Sequence, residues 1–391
     1  MKTRLTALVA ALLLAACALP PPPRATLDPV PLAEADQAVQ AMIDSKQMPG
    51  GALWIEQIGV GSYHRAYGQR AVEPLPEPLD EQTIFDAASL TKAVVTSTLV
   101  QVLREQGKLD VEAPIARYLP DCTALGPNIT VRQLLTHSSG LQPDLPGNGD
   151  QIKNGPWHGI ADALRLTCAL PPQAPPATQF KYSDLNFVLL GIIVARQAGE
   201  PLQDFAQHAL FEPLGMKHSG YLPLERFPAA RIAPTERQPD GSMLRGVVHD
   251  PTARTMGGVA GHAGLFTTTA DLARFARMLL NDGVMDDGRR LLSHESVELL
   301  TLPQSPAGLP QRGMGWDVDT AFSRPRGELY PKGASFGHTG FTGCAFWLDP
   351  GSKSFYILLA NRVHPGGPTN TLPLYAQLGT LAARAAGLAA R

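Results

Sequence analysis

The strand-forming stretches of this 391-residue chain lie at its two ends, and helical periodicity fills the middle. Gly50-Gly51 leads into Ala52 to Ile58, which reads as a strand. Cys344 to Leu348 and Phe355 to Asn361 read as antiparallel strands joined by the turn Asp349-Pro350-Gly351-Ser352. If these strands share one sheet, the two ends of the chain must meet and the middle must be an excursion. The expected architecture is therefore α/β plus helical: an antiparallel sheet flanked by helices, with a mostly helical domain inserted. The boundaries predicted are 32–120 and 245–391 for the α/β domain, and 121–244 for the insertion.

Hydrophobic residues make up 44% of the chain and charged ones 17%, enough for a large core. Leu32 to Lys46 reads as an amphipathic helix with Leu32, Val39, Met42 and Ile43 on its apolar side. A helix from Ser89 to about Gln106 is apolar nearly all round, which predicts burial, and Gly107 closes it as a left-handed cap. Thr130 to Gln133 matches a capping box before Leu134-Leu135, in a helix expected to end at Ser138-Ser139-Gly140, and Thr268 to Asp271 matches a second box. Ser183 is placed to cap an apolar helix from Asp184 to Gln197 that ends at Gly199. Further helices are expected over Leu202 to Leu210 and Pro373 to Ala386. With 36 prolines and 37 glycines in the chain, residues 142–180 and 219–256 read as long loops. The net charge of −2 gives no reason to expect a nucleic-acid partner.

Lys2 and Arg4 precede an apolar run from Leu5 to Ala16, too short to anchor as a membrane span. Residues 1–16 read as a signal peptide. Leu14-Ala15-Ala16-Cys17 resembles a bacterial lipobox, which implies lipidation of Cys17 and a membrane partner through that anchor. Residues 17–31, with Pro20 to Pro23, would then be a stiff tether. The expected location is the bacterial cell envelope, facing the periplasm, at the outer membrane if there are two. Cys122 and Cys168 could pair; with Cys344 they show no metal spacing.

Ser89 and Lys92 form the one Ser-x-x-Lys of the chain. On a helix, residues i and i+3 share a face, ~4.5 Å apart along the axis. A serine is a poor nucleophile until a neighbouring base takes its proton, and a fixed lysine can do that or can hold a second base. Taken alone, the pair also fits a helix N-terminus with an exposed lysine. Tyr182-Ser183-Asp184 and His338-Thr339-Gly340 follow in the order that acyl-transfer chemistry would need.

With these motifs the chain resembles the class C type β-lactamase and penicillin-binding-protein family, which also holds esterases, D-stereospecific peptidases and amidases. Further motifs carry the resemblance: Leu134 to Leu141, Phe211 to Met216, Gly264 to Thr268 with Asp271 to Phe275, and Gly313 to Trp316. It spans about residues 35–385. It implies that Ser89 is acylated, that Lys92 keeps the serine polarised, and that Tyr182 is the general base and then the acid to the leaving group. Positive charge from Lys92 and, if protonated, His338 would stabilise the tyrosinate. The N–H groups of Phe341 and Ser89 would form the oxyanion hole. Gly340 would let substrate backbone approach, beside Thr339.

Two departures narrow the reading. His338 stands where many relatives have lysine, so a permanent cation becomes a group that titrates near neutral pH. Asp184 stands where β-lactamases of this class have asparagine, and Asn186 is two residues further on. Both weigh against an efficient β-lactamase. His249-Asp250-Pro251 and Met256 to Gly264 resemble a branch of penicillin-binding-like periplasmic proteins and muropeptide amidases, and His249 and His262 either line the cleft or satisfy loop carbonyls. A zinc site from His249, His262 and Asp250 is the alternative considered; the reading commits to no metal and no cofactor. The expected protein is a serine hydrolase acting on a small-molecule or muropeptide substrate, as a muropeptide amidase or D-amino-acid peptidase. A broad carboxylesterase, a weak β-lactamase and a non-catalytic muropeptide-binding protein are the alternatives.

Overall fold

The computed structural model describes residues 26–125, 129–367 and 369–389. The expected signal peptide, Cys17 and most of the expected proline tether lie outside them. Among the described residues, an antiparallel sheet of eight strands runs in the order β3-β2-β1-β10-β9-β8-β7-β6. The strands are β1 (Gly50–Gln57), β2 (Gly61–Ala71), β3 (Glu77–Pro78), β6 (Gln311–Arg312), β7 (Asp317–Asp319), β8 (Phe336–Gly340), β9 (Cys344–Asp349) and β10 (Ser354–Ala360). The first strand pairs with the last, Gly51 opposite Ala360 through Gln57 opposite Ser354. The ends of the chain therefore meet inside one sheet. A second pairing joins β4 (Phe85–Asp86) to β5 (Phe266–Thr267).

Alternation along the strands gives each sheet face its own core. Phe355, Ile357 and Leu359 of β10 point into the larger cluster, with the Ser97–Glu105 helix and the helices of the middle segment. Tyr356, Leu358 and Ala360 point into the other, with Leu32, Ala35 and Val39 of the Pro29–Asp44 helix and Leu374, Leu378 and Leu381 of the Leu372–Ala385 helix.

The first capping box is present: Thr130 accepts from the Gln133 N–H, and the Gln133 side chain reaches back to the cap. That helix is only Val131–Leu135. The second box is half formed. Thr268 accepts from Asp271 N–H, but the Asp271 carboxylate accepts instead from His218 N–H (2.7 Å) and Ser219 Oγ (2.8 Å). Ser183 occupies the cap position of the Asp184–Ala198 helix, yet its hydroxyl donates to the Gln142 carbonyl at 2.6 Å and caps nothing. The expected loop 142–180 contains a helix, Gly159–Ala169, and a disulfide ties its Cys168 to Cys122. The long strand β2 had no sequence signature, because Ser62, Tyr63, His64 and Arg65 are polar and not buried; its eight-residue pairing with β1 makes it a strand.

Candidate active site

The site is built on Asp86, the last residue of β4. Its buried carboxylate accepts from the N–H of Ala88 (2.8 Å) and of His249 (2.7 Å), and its carbonyl accepts from Thr342 Oγ1 (2.6 Å). Ala88 is held at φ +47°, a left-handed conformation costly for a residue with a Cβ. Ser89 follows in the turn, just ahead of the helical residues. The chain then winds as a π-helix over Lys92–Thr96 before the regular helix Ser97–Glu105; such segments recur at functional sites. Gly340 of β8 crosses this turn so closely that a Cβ would stand 2.5 Å from the Ala87 carbonyl oxygen. The protein's own backbone needs a glycine here, whatever room the residue also leaves for substrate.

Lys92 is fully buried beneath Ser89. Its Nζ donates to Ser89 Oγ (2.9 Å) and to the His262 carbonyl (2.9 Å), and stands 2.6 Å from Asp184 Oδ1. An ammonium has three donors, and three oxygens surround this one. Burial alone would lower the lysine pKa, but the Asp184 carboxylate and the Tyr182 hydroxyl outweigh it and raise the pKa above its ordinary value. Because Lys92 Nζ donates to Ser89 Oγ, the serine's own proton is free to point elsewhere.

Tyr182 lies over this pair, with Lys92 Nζ 5.1 Å and the Arg312 guanidinium 6.0 Å from its ring centre. The His137 ring lies under it at 4.4 Å. His338, on β8, faces it at 6.0 Å. His338 Nδ1 is 2.8 Å from the Thr339 carbonyl. A carbonyl only accepts, so Nδ1 carries the proton and Nε2 keeps its lone pair. Burial, then Arg312 and Lys92, push the imidazole pKa well below its usual value. His338 is thus neutral, so the condition under which it would be a second cation for Tyr182 is not met; the Arg312 guanidinium stands beside the ring instead.

Ser89, Tyr182, His338, Thr339, Gly340 and Phe341 line one cavity of about 600 Å³ with Arg312 and Arg362. Among the described residues, nothing accepts from the backbone N–H of Ser89 or Phe341, so two donors are available there. Phe322, Phe341 and Leu372 are exposed at the cavity mouth. Arg362 is fixed by Nε donating to the Phe341 carbonyl (2.7 Å), by Nη1 on the Thr369 carbonyl, and by stacking 5.0 Å from the Phe341 ring centre. Among the described residues no carboxylate pairs with it. A larger apolar hollow of about 720 Å³ lies between the Gly159–Ala169 and Asp184–Ala198 helices, but none of the groups that flank Ser89 lines it.

The remaining expected site residues lie behind this cavity. Asp184 is turned onto Lys92. Asn186 is wholly buried, accepting from Ser139 Oγ (2.6 Å) and facing His137 Nδ1 (3.1 Å). His262 is buried, its Nε2 2.8 Å from Asp250 Oδ1, and it meets the site through its carbonyl. His249 stacks on Phe341 at 5.5 Å and lies near Glu236, so it does not join His262 and Asp250; among the described residues no such cluster is placed to hold a metal ion.

Two site residues were not read from the sequence. Arg312 is buried, with Nη2 donating to the Gly315 carbonyl (3.0 Å) and Nη1 3.4 Å from Asp317 Oδ1; it immediately precedes the Gly313 to Trp316 motif. His137, at φ +54°, accepts the Ser183 N–H (3.1 Å) and supports Tyr182 from below. Its place inside Leu134 to Leu141 was the available signal.

The family model described as Beta-lactamase matches residues 35–380. A provisionally named D-alanyl-D-alanine carboxypeptidase of Escherichia coli O157:H7 is 30% identical over 85% of this chain and 82% of its own length. The N-acetylmuramyl-L-alanine amidase of Bacillus subtilis strain 168 is 30% identical over 85% of this chain and 81% of its own. Among solved structures, EstCE1, a hydrolase with promiscuous acyltransferase activity, superposes with a TM-score of 0.70 at 21% identity, over 90% of this chain and 98% of that one. That likeness establishes the β-lactamase/transpeptidase-like fold.

Proposed function

The chain is a serine hydrolase of the β-lactamase family, and on that premise we propose that it cleaves amide bonds in peptidoglycan-derived peptides through an acyl-enzyme on Ser89. The observation that carries the chemistry is the 2.9 Å contact of Lys92 Nζ with Ser89 Oγ, under Tyr182 and open to a cavity of about 600 Å³. Ser89 Oγ attacks the carbonyl carbon, and its proton passes to the Tyr182 oxygen. Lys92 Nζ and the Arg312 guanidinium, 5.1 and 6.0 Å from its ring centre, are the cations beside this base. The N–H groups of Ser89 and Phe341 receive the oxyanion. Tyr182 then returns the proton to the leaving nitrogen, and the C–N bond breaks. Water, deprotonated by the same oxygen, releases the acyl group.

Two points support peptides of the cell wall as substrate. The relatives named above act, by their names, on D-alanyl and muramyl-alanine bonds. Arg362, fixed but unpaired at the cavity, matches the carboxylates that such peptides carry. The Asp184 charge faces Lys92 and does not line the cavity, so it argues less against an anionic substrate than its sequence position suggested. The exposed Phe322, Phe341 and Leu372 favour a carboxylesterase as the second reading; a weak β-lactamase is third. The proposal includes a lipid anchor on Cys17 and residence in the cell envelope, facing the periplasm. The loss of membrane association in Cys17→Ala tests that part.

The test of function is product analysis by mass spectrometry on protein lacking residues before Arg24. A muropeptide digest is offered together with a short-chain nitrophenyl ester and a cephalosporin, with Ser89→Ala as control. Ser89-dependent release of a peptide or of D-alanine is the expected result. Ser89-dependent hydrolysis of the ester alone would make the chain an esterase and overturn the peptide reading.

A further inference from the structure

Asp184 stands 2.6 Å from the lysine that bonds Ser89, and the mechanism above does not use it. It begins the Asp184–Ala198 helix, where the helix dipole favours negative charge. Its own N–H donates to the Pro143 carbonyl at 2.6 Å, which fixes the turn that carries it. The neighbouring cap residue, Ser183, directs its hydroxyl to Gln142. The Asp184 carboxylate is therefore left to face Lys92, which is itself fully buried.

We propose that Asp184 is a positioning residue for the reaction: clamped 2.6 Å from Lys92 Nζ, it keeps the lysine a donor to Ser89 and leaves Tyr182 as the group that takes the serine proton. If Lys92 were the base, its lone pair would have to face Ser89 Oγ, and the buried face of Asp184 would lose its counter-cation. That arrangement is unfavourable in a dry interior. The groups around the pair agree. On the segment that carries the His262 carbonyl, the charges of His262 and Asp250 offset each other at 2.8 Å. His137 and His338, on the other sides of Lys92, are kept neutral by burial and by the same cations. Arg312 is matched by Asp317. Asp144 is the remaining acid; burial, with Asp184 and Asp250 beside it, pushes its carboxyl up to about 7.

This inference rests on the serine-hydrolase reading but not on the choice of substrate, so its test uses a fluorophosphonate, which phosphonylates Ser89 Oγ with loss of fluoride. In wild-type protein with ¹⁵N-labelled lysine, Lys92 Nζ is expected to remain an ammonium from about pH 6 to about pH 10. In Asp184→Asn it is expected to lose its proton within that window, and the alkaline limb of the labelling rate to move down by about one pH unit. A merely structural aspartate would lower the rate without moving the limb. Titration of Lys92 below about pH 8 in the wild type would overturn the proposal, and needs no variant to fold. So would an Asp184→Asn protein, folded by circular dichroism, with an unmoved limb. Loss of muropeptide cleavage with labelling intact would instead strike the substrate reading and leave this one standing.

Discussion

The floor and the rim of the cavity are built in opposite ways. At the floor the groups around the serine are held by several partners at once: Lys92 faces three oxygens, Asp86 accepts two N–H groups, and Thr91 bridges the Ala88 carbonyl to the Leu265 N–H. At the rim Phe322, Phe341 and Leu372 stand exposed, and among the described residues Arg362 bonds only backbone carbonyls. A buried cluster so bonded resists displacement, because each group moved out of place would be left unsatisfied. An open rim carries no such penalty. The floor therefore fixes the reaction class, and the rim is where one member of the fold comes to differ from another in substrate.

The comparison breaks most visibly at the floor. Ser89→Ala is expected to lower turnover of any ester or amide by roughly 10⁴-fold or more, as removing a nucleophile does elsewhere. Tyr182→Phe keeps the ring contacts with His137 and Phe322 but removes the oxygen. It is expected to cost roughly 10² to 10⁴-fold in the acylation rate, read by stopped-flow with a nitrophenyl ester. Should Tyr182→Phe acylate at the wild-type rate, the base is not Tyr182.

At the rim the expected change is one of selection. Arg362→Ala removes a charge-assisted contact worth roughly 1.5 to 3 kcal/mol. It should raise KM for carboxylate-bearing peptides by about tenfold or more, and leave the neutral ester nearly untouched. Equal effects on both substrates would show that Arg362 acts by holding Phe341 in place, through their 2.7 Å bond, and not by meeting the substrate.

A control distant from both regions is the Cys122–Cys168 disulfide, which closes 46 residues of the helical segment. Chain-entropy arguments give about 4 kcal/mol for a loop of that size. Cys122→Ser with Cys168→Ser is expected to lower the denaturant midpoint by a corresponding amount while leaving kcat in place. A large fall in kcat would mean that the floor depends on the helical segment more than its internal bonding indicates.

The same division explains what the sequence revealed. The legible part of the floor is local and chemically explicit: Ser89 and Lys92 are three residues apart, just as the capping box at Thr130 and the turn at Asp349 need only neighbours along the chain. The strands at the two ends were legible because their apolar runs are continuous. What escaped depends on distant partners. Strand β2 is polar on its exposed face and exists by pairing with β1. The Gly159–Ala169 helix begins without a side-chain cap, in a stretch crowded with prolines and glycines. Arg312 gains its role only when β6 sets it against Tyr182, 130 positions earlier in the chain. The neutral state of His338 is likewise a property of the assembled site, since burial and two cations impose it.

That neutral histidine yields the smallest and most specific prediction. In the folded protein the His338 pKa lies well below its ordinary value, while the unfolded chain binds the proton near pH 6.5. As pH falls below about 6.5, the unfolded state takes up a proton that the folded state refuses, so stability falls with pH. The slope from one such group is at most ~1.4 kcal/mol per pH unit. His137, also held neutral by burial, adds a term of the same sign. Asp144 opposes them, because its raised pKa lets the folded state hold a proton that the unfolded state has lost, up to about pH 7. Replacing His338 by Gln removes one term and leaves the other two. The plot of unfolding free energy against pH, measured by urea denaturation between about pH 5 and 6.5, should then flatten by close to one proton's worth. An unchanged slope would mean that His338 is protonated in the fold, which would return to it the role of second cation beside Tyr182 that Arg312 now fills.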